Sequence, residues 1–231
     1  MRVVIFGANG ATGRLLTRQA LDAGFDVVAV TRHPVTFPIE HPRLTVAEGD
    51  VHDRRATAEV MAEADVVLST LGVPFTRKPI SLYSDGIASI TEAMGKHGLT
   101  RVVVVSSSAT EPIRHADGGF LLNRVMQPMI TRTIGKTTYA DMRAMEEHLR
   151  SGLLDWTVMR PGGLFDADLV SDYELHEDSS ERVFTSRVDL AASVLAQASS
   201  STWSRKYVAV NTVTGVPTLL QMIRREAFGG H

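Results

Sequence analysis

Three glycines recur at every third position, Gly7, Gly10 and Gly13, in a stretch running from Gly7 to Arg14 directly behind Val3-Val4-Ile5-Phe6. A strand that turns sharply into a helix needs a residue without a side chain at the turn. A second glycine lets backbone approach a pyrophosphate, and a third lets the helix pack tightly on the sheet. The free N–H groups and the dipole of the following helix then attract phosphate. The context suits that chemistry, because an apolar run precedes the glycines and an amphipathic stretch, Leu15–Leu21, follows them. A plain strand-to-helix turn would use the same spacing. An NAD-type site calls for an acid at the end of the second strand, about 20 residues past the glycines. That strand, Val27–Val30, ends in Thr31-Arg32-His33, and Asp26 lies at its opposite end. Arg32 instead offers a planar fork suited to a 2′-phosphate, with Arg14 able to help from the helix start. These residues favour NADP(H) over NAD(H).

Other chemistries find little support. The chain has no cysteine, which removes disulfides, thiol nucleophiles and zinc-thiolate sites. Its eight histidines show no metal-ligand spacing, so no metal is expected; His115 alone is placed to reach a substrate. There is no G-x-S-x-G elbow for a hydrolase and no Walker lysine after Gly13 for ATP. A net charge of −2 argues against nucleic acid as a partner. No apolar run reaches the roughly 18 residues that span a bilayer. The expectation is a cytoplasmic protein, not bound to membrane, that acts on a small molecule.

The elements that must position these residues alternate along the 231 residues. Short β-branched runs lie at Val3–Phe6, Val27–Val30, Leu44–Ala47, Val66–Ser69, Val102–Val105, Trp156–Met159 and Tyr207–Val210. Several are apolar without alternation, as strands covered on both faces are. Helical patterns lie near Ala11–Ala23, Arg54–Ala64, Leu82–Lys96, Tyr139–Arg150 and Val188–Ala198, with Gly24 and Gly98 where C-caps belong. Strand and helix in alternation predict an α/β fold: a doubly wound parallel sheet of about six or seven strands, in one domain over residues 1–231. Two long connections, Ala109–Thr138 and Leu164–Thr185, break the rhythm after strand ends and are read as a small substrate cap. Within the first, Phe120–Ile134 reads either as a Met-rich apolar lid or as a helix pair broken near Pro128.

With these residues in place, the chain resembles the atypical short-chain dehydrogenase/reductase group, specifically its NAD(P)H-binding, NmrA-like members. It is similar in pattern to the biliverdin-IXβ/flavin reductases. The resemblance covers nearly the whole chain and implies a Rossmann fold. It makes Gly7, Asn9, Gly10, Ala11, Thr12, Gly13 and Arg14 the phosphate loop and Arg32 the 2′-phosphate reader. It sets Asp50 and Val51 beside the adenine, and Leu71 and Gly72 along the cofactor after the fourth strand. Ser106, Ser107 and Ser108 close the fifth strand, and Trp156-Thr-Val-Met-Arg160-Pro161-Gly162 is the element beside the nicotinamide, with Pro161 at the pocket. Ser186-Arg187-Val188-Asp189-Leu190-Ala191 matches a structural helix start.

The resemblance also implies a serine and a tyrosine for catalysis, with a lysine four residues past the tyrosine. Ser108 and Tyr139 match, but the lysine position holds Arg143, with Glu147 continuing that helix face. Arginine can lower a neighbouring tyrosine pKa, yet it does not copy the geometry of lysine. Tyr139 is therefore either a proton donor assisted by Arg143 or a packing tyrosine at a helix start. The expected function is an NADP(H)-dependent oxidoreductase acting on a small carbonyl, quinone, flavin or similar planar acceptor. The alternative is an NmrA-like NADP(H)-binding redox sensor without turnover. An epimerase or dehydratase is disfavoured by the missing lysine and the lack of a sizeable C-terminal substrate domain. The resemblance fits a monomer or a homodimer.

Overall fold

The computed structural model of the chain describes residues 1–76, 78–111, 135–180 and 182–218. Strand β1 (Arg2–Phe6) lies inside the main sheet, parallel to β2 (Asp26–Thr31) on one side and β4 (Val66–Ser69) on the other. Its side chains alternate between two cores. Val4 and Phe6 pack with Ile87, Ile90 and Met94 of helix α3 (Leu82–His97) and with Met142, Met145 and Leu149 of helix α4 (Lys136–Ser151). Val3 and Ile5 pack on the opposite face with Leu16 and Ala20 of α1 (Ala11–Asp22) and with Leu190 and Val194 of α5 (Arg187–Ala196). Both faces are covered, which is why the strand reads as one continuous apolar run. Truncating fully buried Leu16 to alanine would cost about 2–5 kcal/mol.

The main sheet has eight strands in the order β3-β2-β1-β4-β5-β6-β10-β8. Here β3 is Leu44–Glu48, β5 Arg101–Val105, β6 Asp155–Pro161, β8 Tyr173–Glu177 and β10 Lys206–Thr212. All neighbours are parallel except β10 and β8. Strands β7 (Gly163–Phe165) and β9 (Phe184–Ser186) form a separate parallel pair. From β1 the chain runs outward through β2 and β3, then returns to β4 on the other side of β1. That reversal opens a crevice at the carboxyl ends of β1 and β4, where ligands bind in open α/β sheets.

The elements read from the sequence are all present, and three departures have physical causes. The sheet is wider than six or seven strands because part of Leu164–Thr185 is strand: β8 is a polar edge strand in which Leu175 is the residue packed on the core, so no apolar run marks it. Helix α2 covers Arg54–Glu59, shorter than Arg54–Ala64, and the chain passes through a left-handed Glu63 at φ 60°. Helix α4 begins at Lys136 rather than Tyr139. Most of the connection Ala109–Thr138, with His115 and Phe120–Ile134, lies outside the described residues.

Candidate functional site

The three glycines have separable roles. Gly7 adopts φ +76°, and a side chain there would meet the Thr70 carbonyl carbon and oxygen at 2.6 Å. The exits of β1 and β4 therefore touch at this point. A Cβ on Gly13 would stand 2.2 Å from the Gly7 carbonyl oxygen, so Gly13 lets α1 close on the loop. Gly10 is different. Its N–H donates to the Gly7 carbonyl at 3.0 Å, and a Cβ would find the Gly7 oxygen, at 3.3 Å, as its one neighbour within 4 Å. Gly7 and Gly13 answer to the protein's own packing, whereas Gly10 leaves room outside it. Gly10 is also the N-cap of α1, which has no side-chain cap and no acid in its first turn, formed by Ala11, Thr12 and Gly13. Arg14 forks onto Asn9 Oδ1, through Nε at 3.0 Å and Nη2 at 2.8 Å, which holds a cation at this helix start.

Beyond β2, Arg32 is exposed and has no hydrogen-bond or ion-pair partner among the described residues. Asp50 is half-buried; its carboxylate accepts from the His52 N–H at 3.0 Å and its carbonyl from the Asp53 N–H at 2.8 Å. Buried Val51 meets Leu71 across Gly86 of α3, where a Cβ would lie 3.1 Å from Leu71 Cδ1 and 3.2 Å from Val51 Cγ2. Gly86 is a residue that sequence reasoning misses; a glycine inside a helix, costing about 1 kcal/mol against alanine, is the available signal. A Cβ on Gly72 would have nothing within 4 Å among the described residues. The loop Gly72 belongs to is tied down by Thr137 Oγ1 donating to the Thr76 carbonyl at 2.7 Å, and the Tyr83 phenol lies close to the Val73 backbone.

At the end of β5 the three serines diverge. The Ser106 N–H donates to the Met159 carbonyl at 2.8 Å, but its buried Oγ has no partner among the described residues. Ser107 Oγ accepts from the Ala109 N–H at 3.2 Å, and the Ser107 side chain lies near enough to the Tyr139 hydroxyl to act on its pKa. Ser108 opens a single 3-10 turn, Ser108–Thr110. The serine that meets Tyr139 is thus Ser107, one residue before the position the resemblance indicated. Pro161, buried at the end of β6, pairs with Val210, and the next N–H, of Gly162, donates to Thr185 Oγ1 at 3.0 Å.

Tyr139 is 7% exposed, with its ring edge-on to Phe75 at 5.7 Å between centroids. Burial pushes its pKa up, and the nearby Ser107 side chain opposes that only in part. The expected lowering by Arg143 is not seen, because Arg143 Nη1 turns to the Thr110 carbonyl at 3.2 Å. Glu147, expected to continue the inner face, points to solvent and pairs with Arg150 at 2.7 Å. The buried acid is Glu146, paired with Arg160 at 2.8 Å. Among the described residues no cluster of three His, Cys, Asp or Glu could hold a metal ion, and no helix is long and apolar enough to cross a membrane. An open helix N-terminus, free Arg32 and the orphaned Ser106 hydroxyl together fit a phosphorylated dinucleotide.

A sequence model of NAD(P)H-binding proteins matches residues 7–201. An uncharacterised protein of Mycobacterium tuberculosis is 34% identical over 108 residues, 46% of this chain; the match spans only 12% of that longer protein. An ethylated short-chain dehydrogenase/reductase from Veillonella parvula superposes with a TM-score of 0.76 at 21% identity, covering 94% of this chain and 98% of its own. A wide-type short-chain dehydrogenase/reductase from the same organism, solved in complex with NADP, superposes with a TM-score of 0.75 at 22% identity, covering 93% and 95%.

Proposed function

The chain belongs to the NAD(P)H-binding family, and from that premise we propose that it is an NADP(H)-dependent reductase of a small carbonyl, quinone, flavin or similar planar acceptor. One observation carries the reductase reading: a buried Tyr139 beside Ser107 at the carboxyl end of β5, two strands along the sheet from the glycine loop behind β1. In this reading the residues Gly7–Arg14 and the open end of α1 hold the pyrophosphate, and Arg32, helped by Arg14, holds the 2′-phosphate. Asp50, Val51 and Leu71 line the adenine side, while Gly72, Ser106 and Pro161 border the nicotinamide. NADPH bound there would supply the hydride, and with it both electrons, becoming NADP⁺. Tyr139 donates its hydrogen bond, then its proton, to the acceptor oxygen, so that a carbonyl ends as an alcohol. Ser107 and Ser108 orient that oxygen, and solvent restores the tyrosine proton.

Burial keeps the Tyr139 phenol neutral, so it can donate a hydrogen bond to an acceptor oxygen, while its raised pKa makes full proton transfer from it less favourable than from an ordinary tyrosine. One observation favours the second reading, an NADP(H) sensor without turnover: Arg143 stands where a catalytic lysine is expected and is engaged with the Thr110 carbonyl. The test is NADPH oxidation with a quinone, a flavin and an aldehyde, in wild type and in Tyr139→Phe. A fall of about 100-fold in the variant supports Tyr139 as the proton donor. Tight NADPH binding with no oxidation by any acceptor supports the sensor.

A further inference from the structure

Helix α4 lays one continuous row of side chains onto the serine turn. Tyr139, Arg143 and Glu146 stand at i, i+4 and i+7, so they share a helix face. Tyr139 lies beside Ser107, Arg143 donates to the Thr110 carbonyl, and the Thr110 hydroxyl stands between two acceptors, the Ser107 carbonyl at 2.8 Å and Glu146 Oε1 at 3.2 Å, with one proton shared between them. The Thr110 N–H also reaches the Ser107 carbonyl at 3.1 Å. Behind this row, Arg160 grips both oxygens of Glu146, with Nε at 3.1 Å and Nη2 at 2.8 Å. Its remaining nitrogen, Nη1, reaches Glu111 at 3.0 Å, and its plane lies over the Tyr207 ring at 4.1 Å. Arg160 and Glu146 are each 5% exposed. An ion pair buried this deeply gains little over a well-packed apolar pair, so its retention points to the geometry it imposes. Partnered on every side, it is also hard to displace.

We propose that the buried Glu146–Arg160 pair is the positioning anchor of the Ser107–Tyr139 hydroxyl pair, acting through Thr110. The proposal rests on the reductase reading for the use made of Tyr139, but not for the contacts themselves. One carboxylate holds both partners. Tyr139 lies two turns back on the same helix, and Ser107 hangs from the turn that Thr110 closes. Arg143 adds a second tie to that turn, which gives the arginine in the lysine position a task other than proton transfer. A hydroxyl pair drifting by 1 Å leaves hydrogen-bond range, so a residue that touches neither hydroxyl controls both.

Thr110→Val removes the hydroxyl and keeps the branched shape; Thr110→Ala serves if the extra methyl disturbs the turn. The first readout needs no cofactor: the titration of Tyr139, followed by ¹³C NMR at its ring carbon in the free protein. The Ser107 side chain restrains the Tyr139 pKa, so loosening the turn shifts the titration to still higher pH. Thr110→Ser restores it, and Glu147→Gln, on the exposed face of the same helix, leaves it where it was. The second readout is turnover with NADPH and an acceptor that the wild type reduces. There kcat falls about 10-fold in Thr110→Val with the KM for NADPH unchanged, and nothing further is lost when Tyr139→Phe is already present. An unmoved Tyr139 titration overturns the proposal whatever the activity. So does a kcat loss that is equal with and without Tyr139, which marks general loosening. If no acceptor is reduced, a titration shift rescued by serine upholds the anchor while the reductase reading falls.

Discussion

Two helices start at the carboxyl ends of the neighbouring strands β1 and β4, and their N-termini are treated in opposite ways. At α3 a carboxylate is brought in from another helix: Asp141 of α4 accepts from the Tyr83 N–H at 2.8 Å and the Ser84 N–H at 3.3 Å, and bonds the Ser84 hydroxyl as well. Asp141 is buried there, and Asp85 adds an acid to the first turn. At α1 the cap is Gly10, with neither a side-chain cap nor an acid. The dipole and the orphan N–H groups are the same in both helices. One end is closed by the protein itself, and the other has neither a side-chain cap nor an acid of its own. In the proposed reading the contrast separates stability from binding, with the closed end belonging to the core and the open end to the cofactor.

Closing the open end should have the largest effect. Gly10→Asp places a carboxylate cap where α1 has none, and NADPH affinity falls on the order of 100-fold, about 2.7 kcal/mol, in a calorimetric titration. Exchanging glycine for aspartate at an N-cap changes stability by only a few tenths of a kcal/mol, so the melting temperature barely moves. Opening the closed end does the converse. Asp141→Ala leaves buried N–H groups unpaired and destabilises by about 2 kcal/mol in denaturant titration, with a smaller change in NADPH affinity.

Alkaline pH acts on the closed end as well. Burial pushes the Tyr83 phenol up to about 12, because the charged form is poorly solvated beside α3. A pKa raised on folding contributes stability that is fully present below the ordinary tyrosine value near 10 and is lost as pH rises through about 12. Tyr83→Phe should therefore flatten the decline in melting temperature across that window. The smallest effect belongs to the surface of α4. Glu147→Gln breaks an exposed pair with Arg150 and should alter stability by less than about 0.5 kcal/mol.

Much of the fold and the phosphate loop is legible in the chain because the constraints are local. Gly13 answers to the Gly7–Ala8 backbone one turn away, and β1 needs only its apolar run to be assigned; the Thr70 backbone that confines Gly7 comes from the end of β4. The absence of an acid after β2 is likewise visible beside Arg32. What cannot be read depends on phase or on distance in sequence. Which of Ser107 and Ser108 faces Tyr139 is decided by a 3-10 turn that leaves no mark in three consecutive serines. Counting four residues on from Arg143 reaches Glu147, but buried Met142, Met145 and Leu149 set the helix face, and they turn Glu146 inward. The Asp141 cap joins residues 58 positions apart, and strand β8 is too polar to announce itself.

The decisive experiment is a titration of the purified protein with NADPH and with NADH, in wild type and in Arg32→Ala. NADPH should bind the more tightly, and losing Arg32 should cost NADPH about 10- to 100-fold while leaving NADH nearly untouched. Failure of both nucleotides to bind, or equal binding indifferent to Arg32, would contradict an open helix end and a free arginine built for a phosphorylated dinucleotide.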